Sequence, residues 1–91
     1  MSYNDYVLQA ILEIPLSEFD GDMRIPTRLE TSMRGAGVYT LQETFTQYPN
    51  EKSLLSAVQV GKKTVRDFVA ILEELEKRHG VQFEWLENPK T

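Results

Sequence analysis

Gly61, Lys62, Lys63 and Thr64 are residues whose types and spacing fit a definite chemistry, the binding of phosphate. An apolar run ends at the glycine and a helical apolar pattern follows it, so a helix is predicted to begin there. The first N–H groups of a helix have no partner within it, and together with neighbouring ammonium groups they can bind phosphate oxygens. A solvated helix end has the same composition, and in that alternative Thr64 and Asp67 form only a capping box.

The same order of residues occurs earlier in the chain. The segments "MRGAGVYTLQE" and "VQVGKKTVRD" both place a glycine, two further residues and a threonine between two helical patterns. This order is typical of a helix-hairpin-helix turn, in which the glycine permits the tight turn and the next helix presents its free N–H groups. We therefore predict two turns of this kind.

The sequence lacks the residues that the common catalytic sites need. The chain has no cysteine, which excludes a disulfide framework, a thiol nucleophile and a thiolate metal site. Its one histidine, His79, is predicted near the end of a helix, where the helix dipole favours a positive charge. Glu73 and Glu74 are adjacent and point to different faces, so they form no acid/base pair. We predict no enzymatic activity, no catalytic or metal-binding residues and no cofactor.

Composition indicates one domain. The chain has 91 residues, 41% of them hydrophobic and 26% charged, which is enough for a single core. No apolar run reaches the length of a membrane span, and the first residues lack the basic and apolar segments of a secretory signal. A soluble cytoplasmic protein that contacts no membrane is expected.

The net charge of −4 is unevenly distributed along the sequence. Residues 1–22 carry five acidic residues and no basic ones, whereas residues 23–68 carry seven basic and four acidic residues. The acidic total predicts weak, salt-sensitive attraction to nucleic acid. The central basic region can still dock on phosphate if the acidic ends fold away from it.

An amphipathic helix is predicted over residues 3–14. Ser2 and Asp5 are predicted to form a capping box, and Pro15 is predicted to stop the helix. Its apolar stripe must pack either on the rest of the same chain or on a partner chain. We expect packing within the chain, and hence a monomer, with a symmetric homodimer as the alternative. The stripe consists of Val7, Leu8, Ala10, Ile11, Leu12 and Ile14.

Further helices are predicted from their ends. A short helical turn is expected near Ser17, Pro26 fits a first helical position, and "GAG" at 35–37 ends that helix. Thr40 with Glu43 forms a capping box before the next helix, and Asn50 caps the one after it.

The last helix has the clearest apolar stripe, and Gly80 ends it. Pairs four residues apart, Glu73 with Lys77 and Glu74 with Arg78, are predicted on its other face. The segment "VQFEWL" is then expected as a short extended tail that packs Phe83, Trp85 and Leu86 on the core. The stripe of the last helix consists of Val65, Phe68, Val69, Leu72, Leu75 and His79.

The segments "IPTRLETSMRGAGVYTLQETF" and "EKSLLSAVQVGKKTVRDFVAILEEL" resemble the C-terminal domain of the bacterial RNA polymerase alpha subunit. That family reads Leu-Ser-x-Arg-x-x-Asn-x-Leu, then Gly-Ile-x-Thr-Val-x-Glu-Leu, then Leu-Leu, and then Asn-x-Gly-Lys-Lys-Ser-Leu. The likeness extends over residues 15–78, and "PLSEF" and "WLENP" are similar to the family's first and last segments. It implies an all-α compact bundle of four to five short helices with helix-hairpin-helix elements over residues 15–80. We expect the N-terminal amphipathic helix of residues 1–14 to pack on this domain and residues 81–91 to form a C-terminal tail.

The resemblance also implies contact with the minor groove of A/T-rich DNA. Arg28 matches the family's minor-groove arginine, which suits a narrow groove of enhanced negative potential. Thr31 and Gln59 stand where the family usually has asparagine, and both retain hydrogen-bonding ability. The turn of Gly61, Lys62, Lys63 and Thr64 matches the family's phosphate-contacting turn, where a backbone N–H, an ammonium and a hydroxyl can each bind an oxygen.

Three functional hypotheses remain open from the sequence. The first is a transcription-related module that binds A/T-rich DNA weakly. The second is an adaptor of the same fold that binds RNA polymerase, sigma factor or a transcription activator without binding DNA. The third is an accessory helix-hairpin-helix domain of a DNA repair or helicase system.

A plainer alternative for Arg28 is an ion pair with Glu30 or with an N-terminal acid.

Overall fold

A computed structural model describes residues 3–57 and 60–87 of the chain. Within that part, six α-helices are joined by irregular segments and two 3₁₀ turns, and a single antiparallel bridge between Pro15 and Thr40 is the only β-pairing. The predicted all-α bundle is therefore confirmed, while Ser2, predicted to cap the first helix, lies outside the described residues. The helices are α1 (Tyr3–Glu13), α2 (Thr27–Gly35), α3 (Leu41–Gln47), α4 (Glu51–Leu55), α5 (Lys62–His79) and α6 (Glu84–Glu87), and the 3₁₀ turns are Leu16–Glu18 and Gly21–Met23.

The helix α2 begins one residue later than predicted. Pro26 has φ −52° and ψ 133°, so it lies outside the helix and serves as its N-cap residue. Its carbonyl accepts the first helical hydrogen bond, from the N–H of Glu30 at 3.0 Å. Leu29 and Met33, one turn apart, are fully buried and face the core.

The connection from α2 to α3 is a tight turn that needs its glycine. Gly37 has φ +78°, a left-handed conformation that strains any residue with a side chain. The N–H of Val38 donates to the carbonyl of Met33 at 2.8 Å, and that of Gly37 donates to Arg34 at 3.0 Å. These two bonds define a Schellman motif, which satisfies the last carbonyls of α2. The predicted end of this helix at "GAG" is confirmed.

Two capping boxes begin the helices α3 and α4, as predicted. The hydroxyl of Thr40 accepts a hydrogen bond from the N–H of Glu43 at 3.1 Å, and the Glu43 carboxylate accepts one from the N–H of Thr40 in return. Asn50 forms the same reciprocal pair with Ser53, whose N–H lies 2.8 Å from the Asn50 side-chain oxygen. Such caps each contribute about 1 kcal/mol.

The longest helix, α5, buries one face and packs on both α2 and α4. Val65, Phe68, Leu72 and Leu75 are buried, as the apolar stripe predicts. Val69 is only half-buried and His79 is exposed, so the stripe is narrower and shorter than predicted. Gly80, with φ +64°, ends the helix as expected.

Arg78 connects α5 to the second 3₁₀ turn. Its guanidinium donates to Glu74 at 3.0 Å, as predicted, and to Asp22 at 2.6 Å, whereas Glu73 and Lys77 do not pair. The hydrogen bond and the positive charge of Arg78 hold the pKa of the Asp22 carboxyl below its usual value. The resulting stabilisation is present above the ordinary aspartate pKa and is lost as the pH falls through the lowered pKa. It is small, because both groups are exposed to solvent.

The C-terminal segment is a short helix and not the extended tail predicted. Phe83 and Trp85 are buried as expected, and Trp85 donates through Nε1 to the carbonyl of Tyr48 at 2.7 Å. The Trp85 ring stacks on Phe45 of α3 and meets Phe68 of α5 edge to face, with centroid distances of 5.3 and 5.7 Å. We call Phe45, Phe68, Phe83 and Trp85 the aromatic cluster.

The helix α1 packs on α3 within the same chain. Ile11 is buried, while Leu8 and Leu12 remain half-buried at the edge of the contact. The N–H of Leu16 donates to the carbonyl of Tyr39 at 2.7 Å and fixes the segment after α1 against the α2–α3 turn. The apolar stripe of α1 is thus only partly covered.

We predict that Phe68→Ala lowers the free energy of unfolding by about 3 to 5 kcal/mol, because it removes a fully buried ring that contacts Trp85. Chemical denaturation followed by circular dichroism measures this change. Ala70→Ser, at an exposed position of the same helix, is the control and changes the stability by less than about 0.5 kcal/mol. Equal stability of the two variants would contradict the central place of Phe68 in the core.

Candidate nucleic-acid interface

The start of α5 presents backbone N–H groups without a side-chain cap. Gly61 is the N-cap residue, and its carbonyl accepts the first helical hydrogen bond from the N–H of Val65 at 3.1 Å. The N–H groups of residues 62–64 precede that bond, and Gly61 has no side chain that could accept from them. In α3 and α4 the corresponding groups are served by Thr40 and Asn50. The start of α5 therefore has room for an external acceptor.

The role that the sequence predicts for Gly61 is wrong. Its φ of −95° and ψ of 171° are ordinary extended values, which any residue adopts. Within the described residues, a Cβ atom at Gly61 would meet no atom within 4 Å beyond its chain neighbours, so neither the φ angle nor close packing there requires glycine. Of the two glycines predicted to make a tight turn, only Gly37 adopts the left-handed conformation. What Gly61 does provide is an N-cap residue with no side chain that could cover the N–H groups that follow it.

Thr64 does not cap the helix. It is the third residue of α5, is half-buried, and forms no capping box with Asp67, because the helix already begins two residues earlier. Asp67 lies instead 3.6 Å from the Nζ atom of Lys63. The Lys63 side chain is 90% exposed, so this ion pair is weak and leaves the ammonium accessible.

The two lysines oppose the helix dipole. The N-terminal end of a helix carries a partial positive charge and favours acidic residues. The first turns of α1, α2, α3 and α4 follow this rule, whereas the first turn of α5 contains Lys62 and Lys63 and no acid. The start of α5 thus combines three positive contributions, at some expense of helix stability: two ammonium groups and the free N–H groups.

Arg66 belongs to the same surface and was missed as a site residue by the sequence reasoning. It lies one turn after Lys62 on α5, and both side chains are exposed. Neither residue forms an ion pair within the described parts of the chain. The spacing of Lys62 and Arg66 in the sequence indicates this surface, because residues four apart on a helix lie on the same face. We call Lys62, Lys63 and Arg66 the basic end of α5.

Arg28 and Thr31 lie on α2, which packs on α5. Three residues apart, they occupy one face of α2, and both are exposed. The alternative ion pair of Arg28 with Glu30 is not formed, since Glu30 pairs with Arg34. Arg28 has no ion pair with any described residue, an N-terminal acid included.

No hydrogen bond or ion pair among residues 3–57 and 60–87 joins Arg28 and Thr31 to the basic end of α5. The two groups are linked through the packing of α2 on α5. Gln59, the remaining predicted site residue, lies outside the described residues.

Two other kinds of site are absent from the described residues. No group of three or more histidine, cysteine, aspartate or glutamate side chains is arranged to hold a metal ion. No helix in the same residues combines the length and the apolar character that a membrane crossing requires. Comparison of the chain with known protein families, with curated proteins and with solved structures found no match.

We predict that Lys62→Glu raises the free energy of unfolding by about 0.3 to 1 kcal/mol at low ionic strength, because glutamate complements the helix dipole. The new carboxylate also lies one turn from Arg66. Thermal and chemical denaturation measure the change. Lys77→Glu is the matched control, since it makes the same charge change in the last turn of α5 and is expected to lower stability. A less stable Lys62→Glu variant would show that Lys62 serves the fold.

Proposed function

We propose that the protein is a transcription-related module that binds A/T-rich DNA weakly and has no catalytic role. The observation that carries this proposal is the basic end of α5, where two lysines stand against the helix dipole beside uncapped N–H groups. Folding gives no reason for such an arrangement, because acidic residues would stabilise this helix start. Binding of a phosphate oxygen does explain the arrangement, because N–H groups and ammonium groups both favour an anion.

The site residues divide into two roles under this proposal. Lys62, Lys63 and the N–H groups at the start of α5 contact phosphates, which fixes the position of the protein without reading sequence. Arg28, exposed and without an ion pair, enters the minor groove, whose potential is most negative in A/T-rich tracts. Thr31 lies on the same face of α2 and offers a hydroxyl to a base edge or a sugar. The packing of α2 on α5 joins the two parts.

The net charge of −4 limits the affinity but does not oppose the proposal. The acidic residues at the end of the chain, such as Glu84 and Glu87 of α6, follow the last turn of α5 and not its basic end. Exposed charges further apart than about 10 Å are largely screened at 0.1 M salt. DNA contact through few cations is therefore weak and strongly salt-dependent. A module of this strength works in the cytoplasm beside a partner such as RNA polymerase, sigma factor or an activator.

We predict that the double variant Lys62→Gln, Lys63→Gln weakens binding to A/T-rich and G/C-rich duplexes alike. Loss of two phosphate contacts should reduce the slope of log K against log salt by about 1 to 2. Arg28→Ala should instead reduce the preference for the A/T-rich duplex. Fluorescence anisotropy of the labelled duplexes, titrated at several salt concentrations, measures both effects.

Lys77→Gln is a positional control, because it removes an exposed lysine from the opposite end of the same helix. It should bind both duplexes as the unaltered protein does. If the double variant also behaves like the unaltered protein, the basic end of α5 is not the DNA contact. If no duplex binds at low salt, the DNA proposal fails and the adaptor that binds proteins alone replaces it.

A further inference from the structure

A groove of about 1070 Å³ lies between α1, α3 and the C-terminal segment. Leu8 and Leu12, one turn apart on α1, line it together with Phe45 of α3. These three side chains are half-buried, so their apolar surface is only partly covered by the chain itself. Phe83 and Trp85, which are both buried, also line the groove, together with Pro49 and Val81. The groove is thus the place where the apolar stripe of α1 remains incompletely packed.

The apolar lining is held in place before anything binds. Phe45 stacks on Trp85 and meets Phe83 edge to face at a centroid distance of 5.8 Å. The indole N–H of Trp85 is bonded to the carbonyl of Tyr48, and the N–H of Phe83 donates to the Glu76 carboxylate at 2.7 Å. A preformed apolar surface reduces the ordering that binding requires.

The charged residues in the described lining of the groove are all acidic. Asp5, Glu76, Glu84 and Glu87 line it, and the described lining contains no lysine or arginine. The side chains of Glu84 and Glu87 are exposed on the short helix α6 and form no ion pair within the described residues. An acidic rim around an apolar floor favours a partner that carries apolar residues flanked by basic ones.

We propose that this groove binds a basic amphipathic helix of a partner protein. Leucine-like side chains at i and i+4 would lie between Leu8, Leu12 and Phe45, and lysine or arginine residues would face the carboxylates of α6. This docking uses residues separate from Arg28 and the basic end of α5, so it does not depend on DNA contact.

The experiment uses Trp85, the only tryptophan of the chain, as a fluorescent probe within the groove. The unaltered protein is titrated with a designed peptide of about four helical turns, which carries leucines on one face, lysines on the other and no aromatic residue. The emission of Trp85 should change and saturate. Two comparison peptides, one with glutamate for lysine and one with serine for leucine, should each bind at least about tenfold more weakly.

Variants of the rim locate the site. Glu84→Gln with Glu87→Gln should weaken binding of the basic peptide by about three- to tenfold, a change expected for two exposed ion pairs. Glu18→Gln with Asp20→Asn removes the same charge from exposed positions outside the groove and should leave the affinity unchanged. Circular dichroism of each variant verifies that the helices are retained. Lys62→Gln with Lys63→Gln should also bind the peptide normally, which separates this result from the DNA experiment.

Four outcomes would overturn the proposal. The first is that the basic leucine peptide is not preferred. In that case the three peptides bind equally, or none of them changes the Trp85 emission or produces heat in calorimetry. The second is equal weakening by the groove and control variants, which would show attraction to net charge alone. The third is a dimer in light scattering that the α6 variants dissociate, because a second copy would then fill the groove. The fourth is a tenfold gain in peptide affinity on removal of residues 88–91, because the chain itself would then be the occupant.

Discussion

The packing of Phe68 against Trp85 joins the longest helix to the C-terminal segment. Phe68 is fully buried on α5, Trp85 lies on α6, and the Trp85 ring also stacks on Phe45 of α3. Aromatic pairs of this geometry contribute about 0.5 to 1.5 kcal/mol beyond the burial of their area. Because Trp85 is also bonded to the carbonyl of Tyr48, the C-terminal segment is held against α3 and α5 together. The cluster fixes the buried face of α5 and the floor of the groove beside α1.

Fixing one face of α5 determines what its other parts can do. With Val65 and Phe68 buried, Lys62 and Arg66 must lie outside the core, where they are exposed. The cost of two lysines at a positive helix end is small beside the stabilisation from the buried stripe, so the fold tolerates it. The proposed function therefore rests on the two lysines at the start of α5. The buried core outweighs their small destabilising effect, and folding itself does not require them. The groove beside α1 also depends on the core, because α1 buries Ile11 and leaves Leu8 only partly covered.

Most features set by neighbouring residues were predictable from the sequence, whereas the particular contacts between distant residues were not. The cap at Asn50 and the buried stripe of α5 depend on spacings of three and four residues, which the sequence displays directly. The ion pair of Arg28 with Glu30 was a poor alternative, since residues two apart on a helix do not face each other. The helix α6 was missed because Trp85 is secured by a residue of another element. The prediction that Gly61 makes a tight turn was wrong, because the φ angle of a glycine at a helix start cannot be deduced from the sequence.

The most direct measurement of the central claim is a titration of the isotope-labelled protein with an A/T-rich duplex at low salt, followed by the backbone amide resonances. We expect the largest shifts at residues 61–64 and around Arg28, with the resonances of Leu8 and Gln82 in the groove unmoved. Added salt should reverse the shifts, because the contact is electrostatic. Shifts spread evenly over the chain, or confined to the groove, would contradict the assignment of DNA contact to the basic end of α5.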